Sequence, residues 1–263
     1  MAEKDMLPAN ISIDWFQGCL DHYGSLVQSI SSDKIVKPDQ KSLVELDEFR
    51  YEVAVEAFRS DKPKRHMTHD DVKTLVDWKL RHGKFRPTLM KLVSSNDGDI
   101  VKKTIQQAIA EYWADQDVAR AMSAIAKLKG VGPATASLLL SVHDPHRVIF
   151  FSDEAFWWLC CSGQKSPIKY NAKEYQQLSE AADKVAKRLQ VSATDIEKVA
   201  YVIMKDGHSQ FTPSISKSQA APSREKEEAA DEDLPKKARK RGNSSVIDTS
   251  QKPTRRSKRH KAS

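Results

Sequence analysis

Cysteine is scarce in this chain: three in 263 residues, Cys19, Cys160 and Cys161, two of them adjacent. Adjacent cysteines rarely bridge, so no disulfide framework is expected and the set suits a reducing compartment. No run of eighteen apolar residues occurs, so no membrane-spanning helix is expected. Met1–Asn10 lacks the apolar centre behind basic residues that marks a secretory leader. These absences together read as a soluble, intracellular protein with no membrane partner. Strand signals are equally sparse. Only Val148–Phe151, four apolar residues in a row, has that character, and a buried extended connector would look the same.

One sign of charge is also missing where a basic pI would suggest it. Residues 208–263 hold 14 Lys and Arg against 7 Asp and Glu, out of totals of 43 and 36, which leaves 29 of each sign in residues 1–207. The whole positive excess belongs to the tail, so net charge gives no ground for assigning nucleic-acid binding to the body. Within the tail, apolar periodicity is lost, and such a segment cannot bury enough surface to offset its ordering entropy. Disorder is the expectation for 208–263. An acidic patch from Glu225 to Asp233 precedes the basic cluster Lys236, Lys237, Arg239, Lys240 and Arg241, and Arg255, Arg256, Lys258, Arg259 and Lys261 form a second. Basic runs of this kind read as nuclear-import signals or loose phosphate-binding arms, with a merely solubilising tail as the plain alternative. Nuclear residence and contact with the import machinery are the resulting expectations.

The body, taken as 14–207 after a flexible N-terminus at 1–13, reads as all-α. Apolar residues recur at helical spacing over Trp15–Ile30 and Leu43–Phe58. Thr68 with Asp71 three residues on resembles a capping box and starts a helix that stops near Gly83. A basic connector containing Lys79, Lys84, Phe85 and Arg86 leads to a helix through Leu89–Val93. Helices over Asp99–Trp113, Asp117–Lys127, Ala172–Leu189 and Thr194–Met204 complete the pattern.

The most specific stretch is the hairpin at 125–142. Ile125 and Leu128 end one helix, Gly130 and Gly132 bracket Val131, and Pro133 suits the first turn of the next, where its missing N–H costs nothing. Ala136 is small enough to let the two helices approach. Glycines at 130 and 132 allow positive φ and leave N–H groups exposed beside a helix N-terminus, an arrangement that holds a phosphate oxygen without side-chain charge. A tight helix–helix turn without a ligand, or a hairpin used for protein contact, would carry the same residues.

This pattern resembles the helix-hairpin-helix of the DNA glycosylase superfamily, and the residues C-terminal to it strengthen the likeness. His143–Arg147 leads through Val148–Phe151 to Ser152–Asp153–Glu154, with Asp153 lying 21 residues after Gly132, close to the family's spacing. The resemblance covers about Ile105–Cys160 and implies a divergent member, similar to eukaryotic nuclear proteins with no assigned activity. It implies duplex DNA held by its sugar-phosphate backbone, without sequence reading, through Lys129, Gly130, Val131, Gly132, Ala134 and Thr135. Lys84, Arg86 and Arg147 are further phosphate candidates. In the family the aspartate stabilises the oxocarbenium-like sugar as the N-glycosidic bond breaks, with activation of the attacking water as a second role. Asp153 is therefore the catalytic candidate, ahead of Glu154 and Asp144, although a helix N-cap would present the same residue types. Bifunctional members place a Schiff-base lysine two residues after the second glycine. That position is Ala134 here, so any activity would be that of a monofunctional base-excision glycosylase. The iron–sulfur cysteines of some members are absent, so no cofactor is expected beyond a monovalent cation that the hairpin could hold. The alternative is an inactive glycosylase-like scaffold in a chromatin or repair complex, its pocket filled by Phe150, Phe151 or Trp157.

Lesser signals point to structure. His66 and His69 are spaced like a metal pair but lack a third ligand, so no metal is expected. His143 and His146 flank Pro145 in what reads as a surface turn. Trp157 and Trp158 point about 100° apart on a helix, which puts one of them in the core.

Overall fold

Caps decide where most of the helices begin. A computed structural model, which describes residues 3–33 and 37–206, is helical throughout, with no β-strand among the described residues. Helix α1 (Ile13–Ser32) starts behind Ser12, and α2 (Leu43–Glu48) behind a capping box of Ser42 and Glu45. A π-helical turn over Phe49–Val53 joins α2 to α3 (Ala54–Phe58) without a break. Helix α4 (His69–His82) opens on the expected Thr68–Asp71 capping box, which Arg65 reinforces through two bonds to the Asp71 carboxylate at 2.6 and 2.8 Å. Asp97 caps α6 (Gly98–Asp115), after the short α5 (Leu89–Ser94), and Asp117 caps α7 (Val118–Ile125). Pro133 opens α8 (Pro133–Ser141). Ser152 caps α9 (Asp153–Cys160), and Asn171 caps α10 (Ala172–Leu189), which matches the expected span. Helix α11 (Ala193–Asp206) is the last described element. Each side-chain cap satisfies an orphan first-turn N–H and contributes roughly 1 kcal/mol.

Helix α8 is the centre of the body, with every residue from Ala134 to Ser141 buried. Helices α4 and α7 pack on it, α6 lies along α7, and α11 packs against both α1 and α9. The small residues of α8 do two jobs. Ala136 is fully covered and lets the neighbouring helices close in. Ser137 and Ser141 turn their hydroxyls to polar groups of other segments, where a larger apolar side chain would leave those groups unpaired.

The apolar run Val148–Phe151 is the buried connector, not a strand. Its backbone groups are satisfied by side chains in place of a ladder. The Phe150 N–H donates to Glu197 Oε1 at 2.6 Å, the Phe151 N–H to Ser137 Oγ at 2.9 Å, and the Tyr175 hydroxyl to the Ile149 carbonyl at 3.2 Å. Glu197 in turn meets Arg50, which rises from the π turn, is wholly covered, and donates to Glu197 Oε2 at 3.3 Å and to Ser141 Oγ at 2.7 Å. Burial pushes the Glu197 carboxyl up, and the Arg50 charge opposes that.

Packing corrects two expectations. The segment 1–13, expected to be flexible, packs on the body from Met6 onward. Ile11 is fully buried, the Trp158 indole donates to the Met6 carbonyl at 2.9 Å, and Arg188 donates to the carbonyls of Pro8 and Ile11 at 2.7 and 2.8 Å. His143 is not on the surface. It is buried, shares a hydrogen bond with the Phe58 carbonyl at 3.0 Å, and burial lowers its pKa to about 4. Trp158 is the indole in the core, while Trp157 is half-buried and donates to the Ser166 carbonyl at 2.8 Å. The tail at 208–263, with its expected disorder and its basic clusters, lies outside the described residues. No described helix is long and apolar enough to cross a membrane.

Candidate nucleic-acid interface

The turn between α7 and α8 is built on one glycine that the fold needs and one that it does not. Gly130 has φ +76°, and a Cβ there would stand 2.8 Å from the Leu92 Cβ of α5, so only glycine fits. Gly132 is different. Its φ of −95° and ψ of −177° are extended backbone open to any residue, and a Cβ there would meet nothing within 4 Å. The expectation of positive φ at both positions therefore holds only for Gly130. What glycine gives at 132 is free space at the surface.

The N–H groups of the turn divide in the same way. Lys129 is clamped by Asn96, whose Oδ1 accepts from the Lys129 N–H at 2.8 Å and whose Nδ2 donates to the Lys129 carbonyl at 2.9 Å. The Val131 N–H donates to the Leu128 carbonyl at 3.1 Å, and the Val131 side chain is buried. Neither Lys129 nor Val131 therefore has a backbone donor to offer a phosphate. The Thr135 N–H is likewise engaged, donating to the Gly132 carbonyl at 2.9 Å. The N–H groups of Gly130, Gly132 and Ala134 have no acceptor among the described residues. Three open donors therefore lie beside the positive end of α8.

Gly130, Gly132, Ala134 and Thr135 line a cleft of about 340 Å³, and Asp153 lines the same cleft. The volume lies at the lower end of the range for ligand pockets, roughly 300–1,000 Å³. The capping question for Asp153 is settled by its neighbour. Ser152 Oγ accepts from the Ala155 N–H at 3.0 Å, so Ser152 is the cap and Asp153 is the first helical residue. Its carboxylate is released from capping and instead accepts from the Tyr170 hydroxyl. Tyr170 reaches it from the α9–α10 connection in a left-handed conformation, φ +54°. The Arg86 guanidinium lies 5.3 Å from the Tyr170 ring centroid. Burial, with the Asp153 charge adding to it, pushes the Tyr170 hydroxyl well above its ordinary range.

The basic connector supplies the rest of the cleft. Lys84 and Arg86 both line it, and Phe85 between them is 68% exposed. Lys79, from the last turn of α4, is half-buried in the same cleft. Its pKa falls to about 8, mainly through burial, then through the Arg86 charge, with Asp153 pulling the other way. Glu154 also borders the cleft but is paired with Lys205 at 2.9 Å. Phe151 is a buried wall residue and does not fill the space.

Other candidates stand apart. Arg147 is paired with Asp144 at 2.7 Å and lines a separate groove with His146 and α10. Asp144 is buried, accepts from the Tyr112 hydroxyl at 2.7 Å, and is a structural anchor. His69 bonds the Val93 carbonyl at 2.9 Å, and no three metal-ligating side chains converge among the described residues. Lys79 was visible in the sequence only as one of several basic residues, since nothing there tells which side of α4 faces the cleft. Tyr170 and Asn96 carried no signal at all. The chain matches no protein-family model, no curated protein and no solved structure.

Proposed function

We propose that this chain binds duplex DNA through its backbone, seating a phosphate on the turn at Gly130–Ala134 and an unstacked nucleotide in the cleft beside Asp153. The observation that carries this reading is the sharing of one cleft: three unpartnered N–H groups, two exposed basic side chains and a carboxylate freed from capping all border it. Backbone donors and Lys84 and Arg86 read phosphate without reading sequence. Phe85, exposed between them, is suited to stacking on a base or filling the gap that an unstacked one leaves. The resemblance noted in the sequence, to helix-hairpin-helix DNA glycosylases, adds the enzymatic form of the proposal. In that form Asp153, oriented by Tyr170, stabilises positive charge at C1′ as the base leaves, and the chain is a monofunctional glycosylase acting in the nucleus. The basic cluster Lys236–Arg241 would serve import.

The test is binding of the full chain to an abasic-site duplex and to undamaged duplex at near-physiological salt, alongside Gly132→Glu and a variant with the tail's basic clusters changed to Gln. Preference for the abasic duplex that survives the tail changes and is lost in Gly132→Glu supports the reading. Binding that disappears with the tail charges, and with a steep salt slope beforehand, assigns the contact to the tail. Base release by the wild type but not by Asp153→Asn would establish the enzymatic form.

A second reading, a protein-interaction module, is favoured by one feature. An apolar groove of about 560 Å³ runs between α7 and α10, with Val118, Met122 and Tyr175 among its lining residues. Retention of the body by chromatin or repair complexes without DNA contact would favour it.

A further inference from the structure

Lys64, Lys73, Lys187 and Lys205 each hold a carboxylate. Lys198 of α11 holds none among the described residues, although it lines a cavity of about 370 Å³ with Asp47, Glu48, Glu52 and Asp195. Its ammonium lies instead 4.2 Å from the Tyr51 ring centroid and 5.2 Å from that of Tyr23. The two rings stand edge to face, with centroids 5.8 Å apart and planes at 86°. They bound a corner, and the negative face of an aromatic ring attracts a cation. Asp47 adds charge beside it. Its Oδ1 accepts from the Tyr23 hydroxyl at 2.7 Å and from the Trp78 indole at 2.8 Å, while Oδ2 takes no hydrogen bond among the described residues. Burial raises the Asp47 carboxyl above its ordinary range, opposed by those two donors and then by the Lys198 and Arg50 charges. A further cation in the cavity would relieve that cost.

Four carboxylates against one ammonium leave the cavity formally at −3. Glu48 and Glu52 are exposed where they line it, and the cavity has room: a Cβ on Gly24 of α1, another lining residue, would meet nothing within 4 Å. We infer that this cavity binds a basic polypeptide segment, one of whose Lys or Arg side chains takes the Tyr23–Tyr51 corner from Lys198 while its neighbours meet Glu48 and Glu52. Spacing favours a peptide. Glu48 and Glu52 are four residues apart, which on a helix separates side chains by about 5–6 Å, and alternate side chains of an extended chain stand about 7 Å apart. Lys198 has no ion pair to break, so its displacement gives up only ring contacts, a matter of about two- to fivefold in affinity. This site lies at the junction of α1, α2, the π turn and α11, and shares no lining residue with the cleft at Asp153.

The test is fluorescence anisotropy of a labelled peptide in which Arg and Ser alternate, titrated with the full chain at near-physiological salt. The acidic patch at Glu225–Asp233 is a competing site for such a peptide, so every measurement is repeated with that patch changed to Gln and Asn. Binding should survive the patch changes and tighten about two- to fivefold in Lys198→Gln, which vacates the corner. Lys103→Gln, the same loss of charge at an exposed position on α6, should leave it unchanged. Glu48→Lys with Glu52→Lys should weaken it about tenfold or more. Gly24→Leu should abolish it by filling the cavity, and a thermal melt no lower than the wild type's shows that the fold is kept, since glycine is a poor residue within a helix. Binding that disappears with the tail patch, or that ignores the changes at Glu48, Glu52 and Gly24, overturns the inference. So does equal behaviour of Lys198→Gln and Lys103→Gln, or the absence of binding by both the wild type and Lys198→Gln. Displacement of the peptide by equimolar spermine would overturn the peptide assignment in favour of a free polyamine.

Discussion

Two clusters of polar groups lie within the helical body, and the fold treats them in opposite ways. At Arg50, Ser141, Glu197 and the Phe150 N–H, charge is wholly enclosed, and its bonds tie the π turn, α8, α11 and the connector before α9 together. Arg50 even keeps Nε and Nη1 without acceptors among the described residues, its guanidinium lying 4.8 Å from the Tyr51 ring centroid. At Lys79, Asp153 and the hairpin turn, donors and charges stop at a cleft and are left open. A core cluster of the first kind earns its place by fixing how elements meet. A cluster of the second kind contributes little to the fold, and a ligand is the natural partner for what it exposes.

The sharpest test of this contrast is Glu197→Ala. It strands a buried guanidinium and should cost about 3–5 kcal/mol in urea unfolding. Asp153→Asn should leave the unfolding midpoint close to that of the wild type. Equal losses at both positions would erase the distinction.

The two hairpin glycines repeat the contrast within three residues. Gly130→Ala forces a Cβ into α5 at positive φ and should destabilise by roughly 2–3 kcal/mol. Gly132→Ala should change stability by no more than about 0.5 kcal/mol, since that backbone is ordinary and the space around it is empty. Thermal melts of the pair check this, and comparable losses would mean that Gly132 is structural too.

The buried bases set two pH windows. Lys79 has its pKa lowered from 10.5 to about 8, so protonation there is unfavourable in the folded state. The penalty is complete below about 8 and is relieved as pH rises toward 10.5, because over that interval the unfolded chain binds the proton and the folded one does not. Lys79→Gln should therefore stabilise the protein at neutral pH, by on the order of 2 kcal/mol once solvent screening is allowed for, and flatten the alkaline limb. His143 acts on the acid side. Its pKa is about 4 against 6.5 in an open chain, so stability should fall as pH drops between those values, and His143→Asn should remove that dependence. Denaturation midpoints measured from pH 4 to 10.5 would show either limb. An alkaline limb unchanged in Lys79→Gln would refute the account of that lysine.

Phe85→Ala should have the smallest effect on folding, near zero, because the ring is mostly exposed. On abasic-duplex affinity it should cost about 1–3 kcal/mol if the ring stacks on a base. No change in affinity would remove Phe85 from the interface.

Much of the helical framework was legible because caps and turns are local. Thr68 with Asp71, Pro133 after Gly132, and the span Ala172–Leu189 are set by interactions within a few residues, and they are found where the spacing puts them. The hairpin and Asp153 were legible as candidates for the same reason. The features that escaped depend on long-range packing. The burial of His143 comes from Phe58, 85 residues away, and the docking of Met6 from Trp158. Ser152 and Asp153 are both good cap residues, and only the position of Tyr170 separates their duties. Lys79 needed the folded cleft to differ from the other lysines of its connector.

The pairing of α1 with α11 has a consequence for how the chain is made. The first long helix finds its principal partner among the last residues of the body, and Ile11 meets Arg188 across 177 positions of sequence. At roughly 5–20 residues per second on the ribosome, α1 waits on the order of ten seconds or more for that surface to emerge. Its apolar stripe, Phe16, Cys19, Tyr23 and Val27, has only the earlier elements such as α2 to pack on meanwhile. Assembly of the body cannot be completed from the N-terminus forward, since α1 and α11 can pair only after α11 has been made.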